Sequence, residues 1–179
     1  MRSGTASADD DERTVRLDDG RDVMLRPIRS DDVDLLIELH SRLSDSTRYL
    51  RFFGPKPRLS GAQAKHFACV DFDQRVAIVA AVREKGTERI VAVGRFDVVQ
   101  SNTAEFALVV RDDYQRIGLG TALFRRLIHV ATELGIDALT AIVLPENTAM
   151  LHLAERNGAH RVHQDRCEVA VEKRLRPAS

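Results

Sequence analysis

The chain has 179 residues, a length that fits one domain with a buried core. Hydrophobic residues make up 44% and charged residues 30% of it, which is typical of globular proteins. Lysine plus arginine and aspartate plus glutamate number 27 each, so the formal net charge is zero. This balance argues against non-specific nucleic-acid binding, which needs a basic excess. No apolar segment approaches the roughly 20 residues that cross a bilayer.

The N-terminal segment is small, polar and acidic, without the apolar stretch of a signal peptide. We therefore expect a disordered tail over residues 1–14 and a single domain over residues 15–179. Cys69 and Cys167 lie far apart and in no metal-ligand spacing. We interpret them as reduced, buried, small apolar side chains of a cytoplasmic protein.

The first half of the domain predicts one strand and two helices. Residues 23–29 form the strand, near a sheet edge because Pro27 cannot donate a ladder hydrogen bond. Ser30 is positioned to cap a helix whose apolar side chains recur at helical spacing over residues 33–43. Ser60 and Gln63 fit a capping box, which predicts a second helix that ends near residue 70.

Residues 44–57 show no clear periodicity and mix arginines with aromatic side chains. A stacking surface for nucleic-acid bases is one interpretation. We favour another, in which the aromatic rings pack beneath a loop while the guanidinium groups of Arg48 and Arg51 stay in solvent.

Three strand-like segments follow at residues 76–83, 89–99 and 104–111, with turns at residues 85–87 and 101–102. Connections this short predict an antiparallel meander. Successive side chains of a strand point to opposite faces. In the third segment, one face carries Glu105, Ala107 and Val109, and the other face carries Phe106, Leu108 and Val110.

The second half predicts a helix over residues 118–133, a buried strand over 138–144, a helix over 148–157 capped by Asn147, and strands over 161–165 and 167–175. The first of these helices has a predicted buried stripe formed by Leu119, Leu123, Leu127, Val130, Ala131 and Leu134. The element order is β-α-α-β-β-β-α-β-α-β-β. It predicts an α/β (α+β) fold with a mixed, mostly antiparallel central sheet, flanking helices and one parallel crossover.

Residues 115–121 read Q-R-I-G-L-G-T between a strand and a helix. Glycine lets the backbone approach a ligand, and the first turn of a helix offers unpaired N–H groups and a positive dipole end. The stretch therefore predicts an anion site. A Walker P-loop is excluded because Thr121 and Ala122 follow Gly120 where Lys and Ser or Thr are needed. A dinucleotide fingerprint is disfavoured because Leu123 stands where a third glycine belongs.

Residues 110–123, with this Gln-x-x-Gly-x-Gly pattern, resemble the acetyl-CoA signature of the GNAT acetyltransferase superfamily. Asn147 and the pair Gly158-Ala159 match further features in the expected order. Residues 20–29 and 44–54, with the run R-F-F-G at 51–54, are similar to the bacterial protein lysine acetyltransferases that act on acyl-CoA synthetases. The resemblance covers about residues 15–173.

This resemblance implies a GNAT-like fold with acetyl-CoA as co-substrate. Backbone N–H groups of residues 116–121 would bind the CoA pyrophosphate, and the backbone of residues 108–110 would pair with the pantetheine arm. Asn147 would contact that arm, cap its helix, or do both. The cofactor-binding residues implied in this way are Leu108, Val109, Val110, Gln115, Arg116, Ile117, Gly118, Leu119, Gly120, Thr121 and Asn147.

Glu105 is the candidate general base, because an acid inside an otherwise apolar strand is costly to bury. A lysine acceptor has a pKa of about 10.4, so its deprotonation at pH 7 costs about 4–5 kcal/mol, and a nearby carboxylate can take the proton. In the branch that the chain resembles, a glutamate on this strand holds that position. The alternative is a strand-end glutamate paired with Arg95 or Arg111.

The tyrosine that the family often uses as a general acid is replaced here by Ala154. No cysteine has a setting that suits an acetyl-enzyme, which favours direct transfer in a ternary complex. His152, His160 and His163 lack carboxylates at metal-ligand spacing, so we expect no metal.

We therefore expect an acetyl-CoA-dependent N-acetyltransferase whose acceptor is a protein lysine, with no nucleic-acid or membrane partner. A small-molecule amine acceptor, or a catalytically silent acyl-CoA-binding module, remains an alternative.

Overall fold

The computed structural model describes residues 12–100 and 102–176. The strands are β1 (Arg13–Arg16), β2 (Asp22–Pro27), β3 (Arg75–Glu84), β4 (Thr87–Gln100), β5 (Thr103–Val110), β6 (Ala138–Val143), β7 (His160–Gln164) and β8 (Val169–Arg174). The helices are α1 (Val33–Ser41), α2 (Asp45–Phe52), α3 (Gly61–Ala68), α4 (Leu119–Glu133) and α5 (Thr148–Arg156), with a short 3-10 turn over Asp112–Tyr114. Residues 1–11 of the predicted tail lie outside the described residues, whereas Arg13 and Thr14 belong to β1.

The described strands form one eight-stranded sheet in the order β1-β2-β3-β4-β5-β6-β8-β7. Every neighbouring pair is antiparallel except β5 and β6, which are parallel. The mixed, mostly antiparallel fold and the β3–β4–β5 meander are therefore confirmed. Pro27 is the last residue of β2, one strand in from the edge, where the ladder ends and a missing N–H costs little.

Two elements, β1 and α2, were not predicted. The four residues of β1 include only one that is even half-buried, and α2 has no buried residue. β1 is too short to show an apolar period, and α2 has no buried stripe of the kind by which a core-facing helix is recognised. Polar contacts hold α2 instead, beginning with the Ser44 hydroxyl, which accepts a hydrogen bond from the Thr47 N–H at 3.1 Å.

The interpretation of residues 44–57 as a loop over buried rings is wrong. Tyr49 is 43% and Phe53 48% exposed, while Arg51 is half-buried and lines the two cavities beside the helix. Because α2 lies against β5 rather than over a core, Arg51 lies on its inner side, while the rings of Tyr49 and of Phe53, which follows the helix, face water.

The start of α1 is fixed by a buried ion pair rather than by Ser30, so that predicted cap is wrong. Asp32 occupies the N-cap position, and both its oxygens accept hydrogen bonds from Arg26 at 2.8 Å. The Arg29 N–H also donates to Asp32, at 2.8 Å. Since the Arg26 and Asp32 side chains are only 1% and 4% exposed, this pair ties β2 to α1 inside the protein.

The sheet has a separate apolar core on each face. One is formed with α4 and α5 and the other with α1 and α3. Most of the predicted α4 stripe is buried in the first core, but Leu134 follows the end of α4 and is 40% exposed. The prediction that Cys69 and Cys167 are buried is wrong, since both thiols are free and exposed. Within the described residues, no helix is long and apolar enough to cross a membrane.

Replacing Asp32 with alanine tests the buried pair. Removing Asp32 leaves the buried Arg26 guanidinium with only the half-exposed Glu88 carboxylate, at 2.7 Å, as its counter-ion. Asp32→Ala should therefore lower the free energy of unfolding by about 3 kcal/mol. Asp22→Ala is the matched control, because it removes an exposed pair with Arg16 and should cost less than ~1 kcal/mol. Urea denaturation followed by circular dichroism measures both. Equal losses would show that the pair does not anchor α1.

Candidate active site

The central feature of the candidate site is the point at which β5 and β6 part. The two strands pair only over residues 103–105 and 138–140. Beyond Glu105, β5 continues beside β4 alone, and β6 continues beside β8. No described strand pairs with residues 106–110 of β5 on that side. Apart from the Val110 carbonyl, which accepts a hydrogen bond from the Gln115 side chain, backbone N–H and C=O groups there are open to a ligand.

A cleft of about 630 Å³ opens at this parting, between β5, α2, the start of α4 and α5. Nine of the eleven predicted cofactor-binding residues line it. They are Leu108, Val109, Val110, Gln115, Arg116, Gly118, Gly120, Thr121 and Asn147. Residues that are far apart in the sequence therefore meet around one space.

Three predicted site residues do not line the cleft. The Leu119 side chain is fully buried in the core under α4. Ile117 packs against the same core, and its carbonyl accepts a hydrogen bond from the Asp18 N–H at 3.2 Å. Glu105 is exposed at the last paired position of β5, next to the cleft rather than on its wall.

Two glycines shape the end of the cleft at the N-terminus of α4. Gly118, at the N-cap, has a φ of +87°, a left-handed conformation that glycine adopts without strain. At Gly120 a Cβ would lie 2.7 Å from Cδ1 of Leu153, so glycine allows α4 and α5 to approach closely. Arg116 and Arg156 add exposed positive charge to the cleft wall, and the helix dipole adds to it.

The loop before α4 is fastened to α2 by side-chain hydrogen bonds. Asp112 accepts bonds from the Ser44 N–H at 2.9 Å, the Ser44 hydroxyl at 2.6 Å and the Thr47 hydroxyl at 2.7 Å. Burial raises the pKa of Asp112, but these bonds outweigh it, so the pKa lies below its usual value. Gln115 donates to the Val110 carbonyl at 2.9 Å and to the Thr47 hydroxyl at 3.2 Å. The Gln115 side chain thus holds the loop in place.

Glu105 has neither of the arginine partners that its alternative interpretation requires. Arg111 pairs with Asp113 at 2.6 Å and also with Glu84. The Arg95 guanidinium pairs with the Asp97 carboxylate, at 3.8 Å. Within the described residues Glu105 thus forms no ion pair with Arg95 or Arg111, and its carboxylate faces solvent at the parting of the strands.

Arg51, which sequence analysis did not assign to the cofactor site, lines the cleft from α2. Burial lowers its pKa to about 10, and the charge of Arg95 adds to this effect, while Asp97 and Glu105 oppose it. The R-F-F-G run at residues 51–54 marks Arg51 as a candidate functional residue. The direction of the Arg51 side chain, however, depends on α2, which the sequence pattern does not predict. The other cleft residues that were not predicted are Asp18, an exposed carboxylate before β2, and residues of α2 and α5: Thr47, Leu50, Thr148, Ala149, Met150, His152, Leu153 and Arg156. Those on α5 follow Asn147 within about two helical turns.

A separate cluster at the β7–β8 turn corrects part of the metal analysis. Ligand atoms of His163, Asp165 and Glu168 lie within 4.8 Å of one another, so carboxylates do lie near one of the histidines. Asp165 also accepts hydrogen bonds from the N–H groups of Cys167 at 2.7 Å and Glu168 at 2.9 Å. These bonds lower its pKa and account for its place in the turn.

Comparison with known proteins agrees with the geometry. The protein-family model of the acetyltransferase (GNAT) domain matches residues 22–160 of the sequence. Acetyltransferase PA5475 of Pseudomonas aeruginosa is 35% identical over 152 residues, which are 84% of this chain and 82% of that protein. Acetyltransferase Pat of Mycolicibacterium smegmatis is 30% identical over 165 residues, or 91% of this chain. Since these correspond to 49% of Pat, the chain spans about half the length of that relative.

Among solved structures, the GNAT domain of S. lividans PAT superimposes with a TM-score of 0.83 at 32% identity. The match covers 91% of this chain and 96% of that domain. The chain is thus similar to these acetyltransferases in both sequence and fold. It also has a cleft at the parted strands, with a glycine-rich start of α4 at one end. The chain belongs to the GNAT acetyltransferase family, whose members are acyltransferases that use acetyl-CoA.

Proposed function

We propose that the protein transfers the acetyl group of acetyl-CoA to the ε-amino group of a protein lysine, by direct attack in a ternary complex. The observation that carries the proposal is the single cleft from the N-terminus of α4 to the parting of β5 and β6, beside Glu105. An anion-binding end, an open strand edge and a carboxylate follow one another in the order of the pyrophosphate, pantetheine arm and thioester of CoA.

The chain's own groups account for each part of CoA in this proposal. Backbone N–H groups of residues 116–121, the α4 dipole and Arg116 bind the pyrophosphate. The free edge of residues 108–110 pairs with the pantetheine amides as a further strand would. The Asn147 side-chain oxygen accepts a hydrogen bond from the Met150 N–H at 3.2 Å, which directs its amide NH₂ to other partners, and we assign it to the pantetheine arm.

Glu105 serves as the general base. It takes the proton of the lysine ammonium, directly or through one water, as the amine attacks the thioester carbonyl. The new C–N bond forms, the C–S bond breaks, and the CoA thiolate leaves and takes up the second proton that the nitrogen loses. Because a thiol has a pKa near 8.5, this leaving group can depart without an acid. Ala154, at the position of the family's tyrosine, is fully buried and can supply none.

A protein acceptor is favoured by the surface beside the cleft. Tyr49 and Phe53 expose aromatic surface on α2, the helix that also contributes Leu50 and Arg51 to the cleft wall. Aromatic residues are enriched where proteins bind one another. The resemblance to lysine acetyltransferases makes acyl-CoA synthetases the candidate targets. We place the reaction in the cytoplasm, in keeping with two free thiols.

Acetylation of candidate targets tests the acceptor. Purified acyl-CoA synthetases should be acetylated at their active-site lysine, and a Lys→Arg form of each should not, as read by mass spectrometry. A panel of small amines tested in parallel by thiol release should turn over much more slowly. Faster turnover of a small amine would contradict the protein acceptor, and no turnover of any acceptor would favour a silent binding module.

CoA binding should depend on the left-handed glycine of the cleft. Saturating CoA should raise the melting temperature of the protein. At a CoA concentration of 100 times the Kd, the free energy of unfolding should increase by about 2.7 kcal/mol. Gly118→Ala forces a side chain into a conformation with φ of +87°, where the Asp18 carboxylate is 3.2 Å from the new Cβ. It should weaken CoA binding at least tenfold by calorimetry.

Gly86→Ala is the matched control for this experiment. Gly86 also has a positive φ, +82°, but nothing lies within 4 Å of an added Cβ, and it is in the β3–β4 turn, outside the cleft lining. It should lower stability through backbone strain and leave the Kd for CoA unchanged. Equal CoA affinity in wild type and Gly118→Ala would contradict the assigned anion site.

Glu105→Gln should keep CoA affinity and lower turnover by about 10²–10⁴-fold at neutral pH. The deficit should shrink as the pH approaches the amine pKa of about 10.4, where the acceptor is already deprotonated. Glu172→Gln, a conservative change on β8, should leave the rate unchanged. An unaltered pH–rate profile in Glu105→Gln would remove this residue as the base.

A further inference from the structure

A second cavity, of about 50 Å³, lies between the sheet and helices α1, α2 and α3. It shares Arg51 and Val109 with the CoA cleft, so the two spaces adjoin at the face of β5 that also carries Glu105. Its volume is enough for about four water-sized groups. Most of its lining is apolar: Ile28, Leu36, Leu39, Leu43, Phe52, Leu59, Phe67, Val93 and Val109.

The polar groups of this cavity have unmet hydrogen-bonding capacity. His40 is 4% and Arg95 7% exposed, and His40 Nε2 and Arg95 Nη2 have no hydrogen-bond partner in the described part of the chain. The Asp97 carboxylate is 3.8 Å from Arg95 Nη2, which is too far for a hydrogen bond. Buried polar groups are paired in most proteins because an unpaired one is costly, so this pair indicates a ligand.

The charge of the cavity indicates the sign of that ligand. Arg51 and Arg95 both line it, and among the described residues its lining contains no carboxylate. The carboxylates of Asp97 and Glu105 lie outside the lining and offset part of this positive charge. Burial lowers the pKa of His40, and the charges of Arg48 and Lys56 lower it further, so this imidazole is neutral at pH 7 and can donate from Nε2 in one tautomer. An apolar space with two cationic groups and one neutral donor matches an anion on an apolar stem.

We propose that this cavity is a carboxylate subsite, which receives a short apolar stem ending in a carboxylate from the thioester end of the cleft. The inference rests on the proposed function, because the cleft must first hold an acyl-CoA. Arg95 and Arg51 bind the carboxylate, the guanidinium fork of Arg95 being already held over the Phe67 ring at 4.7 Å. The most direct source is the acyl chain of a dicarboxylic acyl-CoA with about four carbons. An acceptor amine that carries a carboxylate is the other source.

Transfer of a dicarboxylic acyl group follows the same steps as acetyl transfer. The amine nitrogen attacks the thioester carbonyl, its proton passes to Glu105, the C–N bond forms and the C–S bond breaks to release CoA. The distal carboxylate stays unchanged in the subsite throughout and appears on the product.

Calorimetry with two stable thioethers tests the subsite. S-(3-carboxypropyl)-CoA and S-butyl-CoA have stems of equal length and differ only in the terminal carboxylate. The wild-type protein should bind the carboxylate form at least tenfold more tightly. Arg95→Met should abolish this preference and keep the affinity for CoA itself, and Arg95→Lys should restore part of it. Melting curves check that each variant folds, and the wild-type comparison stands even where a variant does not.

The acceptor as source has its own measurement. With acetyl-CoA as donor, 5-aminopentanoate should be compared with pentylamine, an amine of equal chain length without the carboxylate, by thiol release. A clear preference for 5-aminopentanoate, with equal affinities for the two thioethers, would support the subsite and assign it to the acceptor. No preference in either assay, while CoA still binds, would overturn the subsite alone. Failure of CoA to bind wild-type protein would instead overturn the proposed function.

Discussion

The site depends on one interruption in the sheet, the parting of β5 from β6 after three paired residues. Each strand is held on its other side, β5 by β4 over its length and β6 by β8 over all six of its residues. The stability of these ladders offsets the cost of leaving N–H and C=O groups of residues 106–110 without a strand partner. The result is a strand edge in the middle of a sheet, where a ligand rather than another chain can pair with it.

A second requirement is that the two sides of this gap keep a fixed geometry. Asp112 lies in the turn between β5 and the α4 N-terminus, and its carboxylate accepts three hydrogen bonds from Ser44 and Thr47 at the start of α2. The helix that brings Arg51 to the junction of the cleft and the second cavity is therefore attached to the same turn that leads into α4. The two walls of the cleft that α2 and α4 form are coupled here through a few polar contacts.

The sequence predicts those parts of the structure that depend on local chemistry. The Ser60–Gln63 capping box forms as expected, and the two glycines at the start of α4 occupy the conformations and close contacts for which glycine is suited. It fails where distant partners decide the outcome. Asp32 takes the N-cap position of α1 because it is the buried counter-ion of Arg26, and α2 forms without any buried residue. The carboxyl of Glu105 can be placed on a face of β5, but its position at the parting follows from how far β6 pairs.

Side chains alternate along β5, so its two faces contact different parts of the protein. The register of β5 against β4 decides which residues lie on each face. Phe106, Leu108 and Val110 pack on the α4 core, while Val109 faces the second cavity. A slip of one residue would bury Glu105 and expose Phe106. Gly94 of β4, paired with Leu108, allows this packing, because a Cβ there would lie 2.9 Å from atoms of Leu108, Leu123 and Leu127. The register that places Leu108 opposite Gly94 therefore also places Glu105 at the last residue that pairs with β6.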